Sequence, residues 1–161
     1  MSVSFKKKMP LAEGLLIASE LEAALHAHSF TVQICGSIRR RKPEIGDIDV
    51  VVNGDMAQLR DGGPWLFAEG GERKVTLEFQ GQQVNVLHAT PDNWGAAILY
   101  FTGSQQHNII MRAQAKRKGF KLNEYGLWQE AHPKSWNLIA GMNESDIYAA
   151  LGLQFKPPEA R

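Results

Sequence analysis

The spacing of apolar and polar positions divides the chain into short, well-marked segments. In residues 11–28, LAEGLLIASELEAALHAH, the residues Leu11, Leu15, Ile17, Leu21 and Leu25 fall mostly on one stripe, which predicts an amphipathic helix. Pro10 suits its first turn. Residues 30–35 read as a strand, and GSIRRRKPEIG, residues 36–46, as a loop rich in turn residues. The run Ile48 to Val52, β-branched but for Asp49, predicts a central strand buried on both faces and ended by Asn53-Gly54. Residues 55–73 carry Gly62-Gly63-Pro64 and Gly70-Gly71 and read as a loop or short helix. VTLEF and QVNVL flank Gln80-Gly81-Gln82 and predict a hairpin. Pairing Phe79 with Gln82 sets Thr76 opposite Asn85 and Glu78 opposite Gln83, all four on one face.

After Pro91 the pattern changes. Residues 92–101 look helical up to the Gly103 break. Ser104 is a good N-cap for a helix from about Gln105 to Lys118, closed by Gly119. FKLNEYGLW predicts two short strands around Asn123 to Gly126, ESDIYAALGL a last helix, and PPEAR an extended tail. Two units follow: a sheet lobe over residues 1–90 and a helix-plus-hairpin lobe over 91–161. A cleft between them is the expected ligand site. The fold class is α/β (α+β in another vocabulary), a mixed sheet with helices on one side and then the smaller lobe.

Composition narrows the class without naming a function. With 161 residues, 43% hydrophobic and 22% charged, the chain is an ordinary globular protein. Its formal charge of +1 argues for no global field, but the cations cluster. Lys6, Lys7 and Lys8 form one group, Arg39, Arg40, Arg41 and Lys42 a second, and Arg112, Lys116, Arg117, Lys118 and Lys121 a third. Arg41 and Lys42 read as an exposed turn. Cys35 is the only cysteine, which excludes an internal disulfide and a zinc pattern and suits a buried, inert thiol. No apolar stretch is long enough to span a membrane, and no signal peptide opens the chain. A reducing cytoplasmic setting is the default expectation.

The chemistry concentrates in GSIRRRKPEIGDIDVVV, residues 36–52. Asp47 and Asp49 stand at i and i+2 on a strand, so both carboxylates project from one face. So close, they repel unless a cation lies between them. Mg²⁺ takes oxygen ligands and completes its shell with substrate phosphates and water. Gly36 permits close backbone approach, Ser37 offers an N–H and a hydroxyl, and Arg40 can clamp a phosphate with two N–H groups. A metal–nucleotide site fits this set. A pair of solvated strand-end acids beside a basic turn is the bland alternative.

This segment resembles the palm motif of the family X DNA polymerases, within the wider nucleotidyltransferase superfamily. YFTGSQQHNIIMRAQAKRKGFKLNEYGLW, residues 100–128, is similar to the nucleotide-binding region of the polymerase β type, and ESDIYAALGLQFKPPEAR to its C-terminal end. The resemblance runs from about residue 10 to the end. It implies that Asp47 and Asp49 hold two Mg²⁺ (or Mn²⁺) ions, with Asp49 shared. It implies that Gly36, Ser37 and Arg40 meet the β- and γ-phosphates. Tyr100, Phe101 and Gly103 would flank the incoming sugar, with a cis peptide at Gly103–Ser104. Asn108 would read the minor-groove edge of the incoming base, and Arg112 would contact the template. Spaced four apart on one helix, Asn108 and Arg112 share a face. Lys116 and Lys118 would bind DNA, and Glu124 and Tyr125 would help to set lobe closure. Expected partners are gapped or primer–template DNA and a deoxynucleoside triphosphate, with the protein a monomer. The implied reaction is addition of a deoxynucleotide to a primer 3′ end, in repair gap filling. No lyase domain precedes the palm, so a minimal form similar to short viral and phage-encoded members is expected.

One position departs from the pattern. The family's third catalytic aspartate falls on Asn85, and a basic residue two positions on falls on Leu87. An amide can lend an oxygen but cannot act as a base at neutral pH. Three explanations stay open: a substitution introduced at residue 85, a native Asn with Glu78 taking over, or a protein that binds nucleotide and DNA without useful synthesis. A nucleotidyltransferase acting on a non-DNA acceptor is the other alternative.

Overall fold

The computed structural model describes residues 8–161. Lys6 and Lys7 of the first basic cluster lie outside the described residues. The chain enters through β1 (Met9–Pro10) and α1 (Leu11–Ala27), whose buried stripe is Gly14, Ile17, Ala18, Leu21 and Leu25. Then come β2 (Thr31–Ile34), α2 (Gly36–Arg39), β3 (Glu44–Ile45) and β4 (Ile48–Asn53). After α3 (Gln58–Asp61) follow β5 (Leu66–Gly70), β6 (Lys74–Phe79) and β7 (Gln82–His88). Five of these strands form one mixed sheet in the order β2-β4-β7-β6-β5. β4 and β7 run parallel, and the other neighbours run antiparallel.

The period of two along the central strands explains the fold and the site together. Val50, Val52, Val84, Val86, Val75 and Leu77 face the main core under α1. The alternate residues Val51 and Leu87 face a second core, built with Cys35, Ala97 and Ile98. Helices thus cover both faces of the sheet, not one as expected, because the β4 run is apolar on both sides. On the second face, at the end of the sheet, the next positions in register are Asp49 and Asn85.

The remaining chain adds three helices and a further sheet. α4 (Trp94–Thr102) is followed by α5 (Gln105–Arg117), a three-stranded sheet of β8 (Phe120–Asn123), β9 (Gly126–His132) and β10 (Ser135–Ala140), and α6 (Glu144–Ala150). Ala96, Leu99, Met111, Leu127, Ile147, Tyr148 and Leu151 form its core. Ser104 caps α5 as expected, its hydroxyl accepting from His107 N–H at 3.2 Å.

The β6–β7 register is the expected one, with Thr76 opposite Asn85 and Glu78 opposite Gln83. Four expectations need correction. The 36–46 loop contains the short helix α2, and Glu44–Ile45 pairs with Met9–Pro10. Residues 66–70 form an edge strand, which the surrounding glycines mask in the sequence. Trp136, a tryptophan expected to pack in a core or between the lobes, is 42% exposed on β10, a strand whose residues are all exposed except Ala140. The tail is not simply extended: Pro158–Ala160 forms a 3₁₀ turn and Arg161 is buried.

Candidate active site: two carboxylates bridged by an amide

Asp49 pairs directly with Asn85 across the β4–β7 ladder. Asp47 stands just before β4, not within it, and is nonetheless drawn to the same point. The Asn85 side-chain amide donates to Asp47 Oδ2 at 3.0 Å and to Asp49 Oδ1 at 2.9 Å. Its own oxygen accepts from Gln83 Nε2 at 2.9 Å. Burial and then the charge of Asp47 push the Asp49 carboxyl up to about 6, while Asn85 and Arg40 pull it back. Glu78 is not available as a substitute. It lies opposite Gln83 and accepts from Gly81 N–H at the hairpin turn, 2.6 Å away.

Gly36 has φ +60, and a Cβ there would collide with the Asp49 carboxylate. The glycine is therefore required both by its left-handed backbone and by the acid seated against it. Ser37 follows within α2, half-buried. Arg40, at the end of α2, reaches across to α4 and donates from Nη1 to the Thr102 carbonyl at 2.5 Å. Burial holds its guanidinium below the ordinary arginine range, against the pull of Asp49. Arg39 donates to Thr102 Oγ1 at 2.7 Å and to Glu144 Oε1 at 2.6 Å, and Glu144 also pairs with buried Arg161. The turn carrying Gly36 and Ser37 is thus anchored to both α4 and α6.

The opposite wall is the end of α4. Tyr100 and Phe101 stack with ring centroids 6.0 Å apart. Phe101 lines a cleft with Asp49, Asn85, Thr76 and Lys74. Gly103 ends α4 at φ +67, and the Gly103–Ser104 peptide is cis. Asn108 donates to the Tyr100 carbonyl at 2.8 Å and lines, with Arg112, Tyr100 and Asn123, a small cavity behind that wall. Lys116 and Lys118 stay exposed at the far end of α5, away from the cluster. Glu124 and Tyr125 form the β8–β9 turn and meet β6 and the residue before it. Glu124 lies 3.5 Å from Lys74 Nζ, and the Arg73 guanidinium lies 4.9 Å from the Tyr125 ring centre.

The arrangement gathers Gly36, Arg40, Asp47, Asp49, Asn85 and Phe101 at one end of the sheet. Tyr100, Asn108 and Arg112 form a neighbouring group. Sequence reasoning missed Gln83, Lys74, Arg73, Arg39 and Glu144. For Gln83 and Lys74 a signal existed, since strand parity puts both on the face of Asn85. Cys35 is fully buried, its thiol pushed up to about 12 by burial, as suits an inert group. Among the described residues no cluster of three or more His, Cys, Asp and Glu side chains forms a metal centre, because the third member here is an amide.

Residues 97–161 match the family model described as DNA polymerase beta thumb. Over 96% of its length the chain is 29% identical to "DNA polymerase/3'-5' exonuclease PolX" of Bacillus subtilis, covering 29% of that protein. It is 27% identical to rat DNA polymerase lambda, with 98% of the chain and 33% of the relative aligned. It is also 27% identical to "Repair DNA polymerase X" of African swine fever virus, with 83% of the chain and 82% of the viral protein aligned. The chain therefore spans about a third of the bacterial and rat relatives and most of the viral one.

Proposed function

We propose that this chain, a relative of the family X DNA polymerases, is itself a DNA-directed DNA polymerase that extends a primer 3′ end across gapped or primer–template DNA. The observation that carries the reading is the Asp47–Asn85–Asp49 cluster, set against the Gly36–Ser37 turn and faced by Arg40 and Phe101. Two carboxylates, hard oxygen ligands, held this close, with Asp49 raised by burial and repulsion, fit a divalent cation. Asp47 and Asp49 would hold Mg²⁺ or Mn²⁺, two ions in the family pattern. Such ions, when bound, stabilise the charge that develops on the phosphoryl group and the attacking oxygen.

The chain's own residues do the rest. Asp47 and Asp49 supply the fixed negative charge at the point of reaction. Ser37 and Arg40 bind the β- and γ-phosphates, and Arg40 does so by exchanging its Thr102 carbonyl for a phosphate oxygen, a stronger acceptor. Tyr100, Phe101 and Gly103 seat the sugar. Asn108 and Arg112 test the base pair from the minor-groove side. The Asn85 amide cannot act as a base at neutral pH, so the primer hydroxyl proton passes to solvent or to a group outside this cluster. Lys116 and Lys118 hold DNA outside the cleft, and Glu124 and Tyr125 set closure. The same proposal keeps the division at residue 90, a monomer and a cytoplasmic setting.

The test is single-nucleotide incorporation on a one-nucleotide-gapped duplex with Mg²⁺ or Mn²⁺. The unmodified chain, Asn85→Asp and Asp47→Ala are compared. Extension by the chain and its loss in Asp47→Ala supports the reading. Extension only in Asn85→Asp favours a second reading, a DNA- and nucleotide-binding protein without useful synthesis. The observation favouring that second reading is the Asn85 amide lying on both carboxylates. No extension by either form sinks the polymerase reading, and nucleotide transfer to a non-DNA acceptor is then the remaining assay.

A further inference from the structure

Resting on the polymerase reading, we propose that Lys74 is a positioning residue, the pin of a charged latch that holds the β8–β9 turn on the sheet and so sets nucleotide affinity. Lys74 opens β6 directly opposite Leu87, on the same face as Thr76 and Asn85. It lines the cleft that contains Asp49 and Asn85. Its ammonium makes its ion pair elsewhere. It lies 3.5 Å from Glu124 Oε1 and 5.2 Å from the centre of the Tyr100 ring. One cation therefore joins the sheet, the turn and an aromatic residue of the nucleotide wall.

The preceding residue repeats the contact. Arg73 covers the Tyr125 ring at 4.9 Å, so two consecutive cations hold two consecutive turn residues. The turn is stiff in itself: Asn123 Oδ1 accepts from Tyr125 N–H at 2.9 Å and from Trp128 Nε1 at 3.2 Å. A stiff turn moves as a unit, so its attachments decide where it sits. Besides Lys74 and Arg73, the turn has a long bond of 3.4 Å from Asn93 Nδ2 to the Glu124 carbonyl. These few, partly solvated contacts suit an element that opens and closes. If nucleotide binds only the closed arrangement, its apparent affinity scales with the closed fraction. Lys74 touches neither the phosphates nor the reacting atoms in this scheme. Its effect comes through Glu124 and Tyr100.

The test combines gapped-duplex kinetics with amide hydrogen exchange of the free chain. Lys74→Met is expected to raise the KM for the incoming nucleotide about fivefold or more, with a smaller change in kcat. It is also expected to speed exchange over residues 123–126. Lys74→Arg should keep both properties. The swap Lys74→Glu with Glu124→Lys should restore most of what Lys74→Glu alone removes. Unchanged KM and exchange in Lys74→Met, or a swap that restores nothing, overturns the latch. If the unmodified chain incorporates no nucleotide, the polymerase reading fails separately. The exchange arm then decides the latch alone: faster exchange in Lys74→Met supports it, and unchanged exchange overturns it.

Discussion

Asn85 stands directly opposite Asp49 in the parallel β4–β7 ladder and gives it a hydrogen bond of 2.9 Å. The same amide serves Asp47, so a neutral group occupies the place between two acids where a cation would relieve their repulsion. Gln83 holds the amide oxygen on the other side and so fixes which end faces the acids.

Replacing Asn85 with Asp removes both donations and adds a third like charge. In chelator the Asn85→Asp protein should be less stable by roughly 2 kcal/mol, the scale of a hydrogen bond to a charged group. For a chain of this size that is about 4–8 °C in Tm. Millimolar Mg²⁺ should return most of the loss. Incorporation should rise about 10²-fold or more, since a base is restored. Thermal melts with and without Mg²⁺ check the first part, and a variant no less stable than its parent in chelator contradicts it.

Cation binding should weaken in acid. The Asp49 carboxyl is pushed up to about 6 from an ordinary value of 3.8, chiefly by burial. A raised acid means that the fold favours the protonated form. In the metal-free protein its contribution to stability is complete below pH 3.8 and disappears as pH rises through about 6. A divalent ion needs the carboxylate, so Mn²⁺ affinity should fall about tenfold per pH unit below 6. Isothermal titration between pH 5 and 7.5 measures this. A flat profile would show that Asp49 does not ligate the ion.

Glu144 ties α6 to α2 through Arg39 and also pairs with Arg161 of the tail. Its side chain is 9% exposed, that of Arg161 is 0% exposed, and Arg39 completes the set at 2.6 Å. Glu144→Gln leaves a buried guanidinium without its counter-charge, a change that costs about 3–5 kcal/mol in buried pairs. Arg39 is partly solvated, so about 3 kcal/mol is expected here. Denaturant unfolding checks the value. A loss below about 1 kcal/mol would mean that the ion pairs are screened by solvent.

The elements were legible where periodicity and punctuation agreed. Ser104 and Gly119 bracket α5 within a residue, and the β6–β7 register follows from Gln80-Gly81-Gln82. The acids were legible too, because Asp-x-Asp at the edge of an apolar run has no use in a core. What stayed hidden depends on pairing distant in sequence. Nothing local says that Arg39 will meet Glu144, 105 residues away, or that the tail will fold back to bury Arg161. Edge strand β5 was lost because glycines break its pattern, and β10 because residues 135–140 carry no clear alternation.

The pair His107 and Tyr148 predicts an acid limit on stability that is separate from the carboxylates. His107 is 6% exposed, and its Nε2 lies 2.8 Å from the Tyr148 hydroxyl. Burial, then the charges of Arg161 and Lys156, hold the imidazole down at about 4 against an ordinary 6.5. The fold therefore requires the neutral ring. Its contribution is complete above pH 6.5 and is lost as pH falls towards 4, because the unfolded chain takes up the proton first. The urea midpoint should decline across that window. His107→Phe alone strands the Tyr148 hydroxyl and should destabilise the protein at pH 7 by about 1–3 kcal/mol. Adding Tyr148→Phe removes both polar partners, so the double variant should recover most of that loss. It should also show a shallower decline between pH 6.5 and 4. An acid limb as steep in the double variant as in the parent would place the titration elsewhere, and no recovery at pH 7 would mean that ring packing, not the hydrogen bond, fixes α6 on α5.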